Sequence, residues 1–169
     1  MSICIEYRFL PAATASVRDK TRFLAGSLRL EWAAQYPQIF DEHEVQIAAN
    51  QAEGHFFEWF AAVHLCETTG WLSLVESYQL KVQKWKRNVL EKLGASELLE
   101  SFDSQGKAGF GRWQAPELLV YARDLSDFYF CQVKGPTDRL RPVQIEYFKA
   151  LSTVAGGKEI VILPVELSK

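Results

Sequence analysis

The residues whose types could do chemistry lie close together: Pro116-Glu117, then Gln132-Val133-Lys134, then Gly135-Pro136. An acid, an amide with a metal-capable oxygen and a lysine suit metal-dependent cleavage of a phosphodiester. That reaction needs an oriented water, stabilisation of the added negative charge and departure of the leaving oxygen. Between the two motifs, Leu118-Leu119-Val120-Tyr121 and Phe128-Tyr129-Phe130-Cys131 are apolar and β-prone, and Arg123 to Asp127 is polar and turn-forming. The pattern predicts a β-hairpin. Side chains alternate along a strand, so Gln132 and Lys134 project from one face and Val133 from the other. A hairpin that pairs Glu117 near Gln132 brings all three groups to one edge of the sheet.

The elements that must position them read as a single α/β unit, with no internal repeat or low-complexity tract. A first strand is expected around Ile3 to Phe9, and Ser16 can cap a helix carrying Val17, Phe23, Leu24, Leu28 and Trp32 before Pro37. A second helix spans Glu44 to Glu67, with Ile47, Phe56, Phe57, Phe60, Val63 and Leu65 on a broad apolar face, and Gly70 stops it. Trp71 to Tyr78 fits a strand or an irregular connection. A basic helix follows and ends near Gly94, then a short helix over Ser96 to Phe102, then a Gly-rich mobile loop from Ser104 to Gly111. Pro142 starts a helix over Val143 to Val154, Gly156-Gly157 ends it, and Ile160 to Leu163 is a fully apolar last strand. The tail therefore reads strand, helix, strand.

Composition bounds the function classes. The 169 residues, 48% hydrophobic and 13% aromatic, are enough for one domain with an ordinary core. No secretory signal is visible at the start, and no run approaches the roughly 20 apolar residues of a membrane helix. Cys4, Cys66 and Cys131 are too few and too scattered for a disulfide framework or a zinc knuckle, so a reducing cytoplasm is the expected compartment. The formal charge of -2 argues against binding nucleic acid by bulk electrostatics. Contact with DNA must come from a local patch. The candidate is Leu80 to Lys92, with Lys81, Lys84, Lys86, Arg87 and Lys92 against the single acid Glu91; the same charges also fit a solvated helix face. His43, His55 and His64 lack the spacing of a metal pair, and the tryptophans suit core packing, with Trp113 beside the Gly-rich loop able to stack a base instead.

With those residues laid out, the region from Gly111 to Val165 resembles the VRR-NUC domain, the virus-type replication-repair nuclease branch of the PD-(D/E)XK superfamily. Pro116-Glu117, Gln132-Val133-Lys134-Gly135-Pro136, Asp138-Arg139-Leu140 and Gln144 carry the resemblance. Upstream, Gly54, Phe57, Glu58, Ala61, Leu65 and Gly70-Trp71 are similar to the first helix of such nucleases, which carries a glutamate aimed at the metal. Glu58 matches it, with Glu53 the competitor about 140° away round the helix. Two positions depart from the family pattern. Glu117 stands where aspartate is usual, adding a methylene, and Gln132 stands where glutamate is usual, removing a negative charge.

The resemblance implies an α/β, restriction-endonuclease-like fold with a central mixed sheet, flanking helices and an N-terminal helical extension (1–43) before the nuclease core (44–169). It implies a metal site of Glu117, Gln132, the main-chain carbonyl of Val133 and Glu58, taking Mg2+ or Mn2+ because the donors are oxygens. Lys134 would hold the attacking water or neutralise developing charge, and Gln144 would bind the nucleophile, a phosphate or Lys134. Tyr147 shares the Gln144 face or joins the core. Arg139 and Arg141, with Lys81, Lys84 and Arg87, would grip DNA phosphates, and Asp138 would fix its own loop. The expected activity is endonucleolytic cleavage of branched or structured DNA. It would act in repair or phage replication, or as an antibacterial toxin delivered to another cell's cytoplasm and countered by an immunity protein. The alternative is a nuclease-fold module that has lost catalysis and binds nucleic acid or a protein partner.

Overall fold

The computed structural model of the chain describes residues 7–50, 52–75, 78, 83–105 and 115–169. Strands β1 (Arg8–Phe9) and β2 (Ala13–Ser16) precede helices α1 (Val17–Ala25), α2 (Ser27–Gln35), α3 (Glu42–Asn50) and α4 (Ala52–Thr69). Next come β3 (Leu72–Val75), α5 (Lys84–Lys92) and α6 (Ser96–Gln105). The hairpin strands β4 (Leu118–Tyr121) and β5 (Phe128–Lys134) are followed by α7 (Pro142–Val154) and β6 (Ile160–Ser168). The six strands form one mixed sheet in the order β1-β6-β5-β4-β3, with β2 also against β6.

The expected mixed sheet with flanking helices is therefore present among the described residues. β5, β6, β1 and β2 run parallel, whereas β4 is antiparallel to both of its neighbours. Ile160, Val161, Ile162 and Leu163 are all buried, as a parallel strand covered on both faces requires. The hairpin turn is closed by local bonds: Leu125 takes φ 63°, and the Asp124 carboxylate accepts the Ser126 N–H at 3.0 Å.

Several boundaries differ from the sequence pattern for identifiable reasons. The Ser16 hydroxyl does cap α1, accepting the Asp19 N–H at 3.0 Å, but the helix does not continue to Trp32. Gly26 adopts φ 100° and divides it into α1 and α2. The helical region expected from Glu44 begins at Glu42, because the Asp41 carboxylate accepts the Glu44 N–H at 2.8 Å. It is divided between α3 and α4, with Gln51 outside the described residues. Of the strand expected from Ile3, residues 3–6 also lie outside them. Arg8–Phe9 pairs with β6, and so does Ala13–Ser16, four small or polar residues with no strand signature. The first 43 residues are thus partly sheet rather than a purely helical extension. α6 runs on to Gln105, which shortens the expected Gly-rich loop, and residues 106–111 of that loop lie outside the described residues.

The core is aromatic where the N-terminal helices meet α4. Phe23 meets Phe56 and Trp59 edge to face at 5.5 and 5.4 Å, and Phe40 stacks on Trp59. One polar contact crosses between layers. Lys86, expected on a basic surface, is fully buried; its ammonium bonds Glu44 of α3 and the Val75 carbonyl at the end of β3, 2.6 Å away. The apolar surroundings admit an ammonium only with its carboxylate partner. Glu44→Ala should therefore lower stability by about 3 to 5 kcal/mol in urea denaturation. Glu44→Leu combined with Lys86→Met should lose far less, and equal losses in both proteins would contradict a buried ion pair.

Candidate active site

The β4–β5 ladder is paired from Tyr121↔Phe128 to Leu118↔Cys131. One step further, its register sets Glu117 opposite Gln132 and Pro116 opposite Val133. Residues facing each other across an antiparallel pair lie on the same face, and Lys134 joins that face two residues on. The convergence expected from the hairpin is present. The Val133 N–H donates to Glu117 Oε2 at 3.0 Å, and the Gln132 amide opposite favours the charged form of the same carboxyl.

Pro116 explains why a side chain replaces backbone here. Having no N–H, it cannot donate to the Val133 carbonyl, and its own carbonyl accepts the Tyr78 hydroxyl at 2.8 Å. The N–H and C=O of one residue in an antiparallel ladder point to the same side, so the Val133 carbonyl faces the side from which Glu117 reaches in. A carboxylate, an amide and a peptide carbonyl therefore gather where the ladder stops. These are oxygen donors of the kind that Mg2+ and Mn2+ take. Among the described residues no three His, Cys, Asp or Glu side chains converge on a metal position.

Burial pushes the Glu117 carboxyl above its ordinary range, opposed by the hydrogen bond from the Val133 N–H, by its own backbone N–H, by the charge of Lys134 and by the Gln132 amide. Burial also pushes up the Tyr78 hydroxyl and the Cys131 thiol, and Glu117 adds to both shifts. Tyr78, fully buried and bonded to Pro116, is a positioning residue that no sequence signal indicated.

Lys134 is oriented from the following helix. Its ammonium donates to Gln144 Oε1 at 3.1 Å, and the same oxygen accepts the Arg141 N–H at 3.0 Å. Gln144, buried, thus caps the start of α7 and holds Lys134, one of the roles expected of it. Asp138 fixes its loop as expected: its carboxylate accepts the Gly135 N–H at 3.3 Å, and its N–H donates to the Gly135 carbonyl at 3.1 Å. Gly135 is needed for close approach, because a Cβ there would stand 3.1 Å from the Phe57 ring of α4.

That contact brings α4 alongside the end of β5. Glu58, the next residue, is half-buried with its Oε2 3.5 Å from His55 Nδ1, whereas Glu53 is exposed in the first turn of α4. His55 is buried, His43 is exposed, and His64 stacks on Phe60. Tyr147 is half-buried, and Trp113 lies outside the described residues.

The candidate DNA contacts divide. Arg139 and Arg141 are exposed in the loop between Lys134 and α7, and Lys84 is exposed at the start of α5. Lys81 lies outside the described residues. Arg87 is paired with Asp103 at 2.7 Å, which turns it toward α6. Through Lys86 and Val75, α5 is attached to the end of β3 that faces Leu118, so it lies at the same end of the sheet as Glu117. No family model, curated protein or solved structure matches the chain.

The sign of a pH effect follows from Glu117. With its carboxyl raised in the folded state, the native protein holds the proton more tightly than the unfolded chain, so stability falls as pH rises through that raised value. Glu117→Gln should raise the Tm at neutral pH and flatten its decline as pH rises from the ordinary carboxylate range through that raised value. Thermal melts without divalent cation test this; a variant less stable than wild type at neutral pH would contradict it.

Proposed function

We propose that the chain is a metal-dependent deoxyribonuclease of the PD-(D/E)XK type, resembling the VRR-NUC branch and acting on branched or structured DNA. The observation that carries the reading is the meeting of Glu117, Gln132 and the Val133 peptide at the end of the hairpin, with Lys134 on the same face and tied to Gln144. Glu117, the Gln132 amide oxygen and the Val133 carbonyl would hold Mg2+ or Mn2+, with Glu58 supplied from α4. The bound cation supplies Lewis-acid stabilisation of the phosphoryl charge and a more acidic water.

The chain's own groups do the rest. The Val133 N–H fixes one oxygen of Glu117 and so sets the direction of the other. Lys134, its ammonium steered by Gln144, orients the attacking water and offsets charge developing on the phosphate. Arg139 and Arg141 stand beside it, exposed, to bind flanking phosphates. An amide in place of a carboxylate at Gln132 weakens the hold on the cation, since one negative charge is missing.

A second reading, a nucleic-acid or protein-binding module without catalysis, is favoured by the same amide. Two carboxylates here would repel and call for a cation, whereas a neutral amide beside Glu117 adds no such repulsion. Forked and linear DNA incubated with Mg2+ or Mn2+ separates the two. The nuclease reading expects cleavage by the wild type and a loss of about 100-fold or more in Lys134→Ala. It further expects Gln132→Glu to reach half-maximal rate at lower metal concentration. Absence of wild-type cleavage with either metal would leave the binding module as the better account.

A further inference from the structure

We propose that the pocket beside Lys134 is a stacking site for an unpaired nucleobase next to the scissile phosphate, with Phe9 as its platform. The inference rests on the nuclease reading and narrows its substrate to DNA that is locally single-stranded at the cut.

The pocket encloses about 380 Å3 between β6 and the loop that follows β5. Ile162 and Pro164 of β6, Pro136 and Leu140 of the loop and Phe9 of β1 give it its apolar lining. Register places it on the face that carries the candidate active site. Phe9 pairs with Ile162 and Ile162 with Gln132, while Pro164 pairs with Lys134, and residues aligned across parallel strands project to one side. Phe9, Ile162, Gln132 and Glu117 thus stand in one row across the sheet. β1 is two strands from β5, about 10 Å, the scale of a nucleotide neighbouring the bond to be cut.

Phe9 is out of keeping with its row. Ile162 and Gln132 are buried, yet Phe9 is 61% exposed, and the Tyr7 ring meets it at 6.2 Å and 68° to set its orientation. Among the described residues this ring takes no part in the core. Charge on the rim gives the occupant a direction: on the loop side Lys134 and Arg139 outnumber Asp138, whose carboxylate is turned to the Gly135 N–H, and Glu166 lies on the β6 side. A phosphodiester backbone would follow the cations, leaving its base over Phe9, where Glu166 can accept a hydrogen bond from an exocyclic amine. A base inside a duplex has no free face to offer such a ring, whereas an unpaired base does, and base–aromatic stacking of this kind tolerates any base.

The test uses the full chain with calcium, so that binding can be read without cleavage, and a forked DNA carrying a stacking-sensitive fluorescent base analogue at its first unpaired position. Wild type should quench the analogue. Phe9→Ala should abolish the quenching and weaken binding of the fork about tenfold while leaving the fully paired duplex unaffected. Phe9→Trp should retain both properties, and unchanged circular dichroism would show that each variant folds. Fork binding and cleavage that ignore Phe9→Ala would overturn the stacking site while leaving the nuclease reading intact. Phe9-dependent quenching without cleavage in Mg2+ or Mn2+ would uphold the stacking site and sink the nuclease reading. Failure of the wild type to bind the fork would overturn both.

Discussion

The arrangement at the candidate site depends on a backbone N–H at the place where a β-ladder stops. Beyond the Leu118↔Cys131 pair, Val133 faces Pro116, which has no N–H and whose carbonyl is taken by Tyr78. A buried N–H left unpaired costs free energy, so the carboxylate of Glu117 turns in to accept it. That single bond draws an acid into an apolar sheet end, beside an amide and a peptide carbonyl. It also aligns the acid with Lys134, because everything paired across the ladder shares a face.

Burying such groups is costly, and the molecule offsets the cost by pairing each one. Glu117 receives a hydrogen bond from Val133, and Gln144 receives them from Lys134 and Arg141. Lys86 has Glu44 and the Val75 carbonyl. The last of these ties α3 and α5 to the end of β3 and so steadies the sheet end on which Glu117 sits. At Glu117 burial outweighs those contacts and pushes the carboxyl above its ordinary range. The same logic makes Gln132 the chemical question of the site, since an amide there has both N–H donors and an oxygen acceptor to offer.

Much of this architecture was legible from local pattern. The apolar runs flanking Arg123 to Asp127 form the expected hairpin, Ser16 caps α1, and Pro142 begins α7. Each is a case in which a few adjacent residues specify their own geometry. The misses share the opposite property. β2 is a strand only because Val165 to Ser168 lies alongside it, and Lys86 is buried only because Glu44, 42 residues earlier in the chain, is there to receive it. The break at Gly26 was available in principle, since glycine favours the left-handed backbone there, but the apolar spacing through Leu28 and Trp32 masked it.

The sequence alone determined which groups are present and how they alternate: the acid after Pro116, the amide and lysine two apart on one face, and the glutamine near the start of the next helix. Those are consequences of covalent order and strand period, which act over a few residues. Only the tertiary structure decided what the groups touch. It gave Gln144 to Lys134 as a hydrogen-bond partner, turned Glu117 onto the Val133 N–H, set Phe57 against Gly135, and placed Phe9 in the row of Glu117 through two intervening strands. These contacts join residues that are distant along the chain, and the pairing of strands across the sheet is what brings them together.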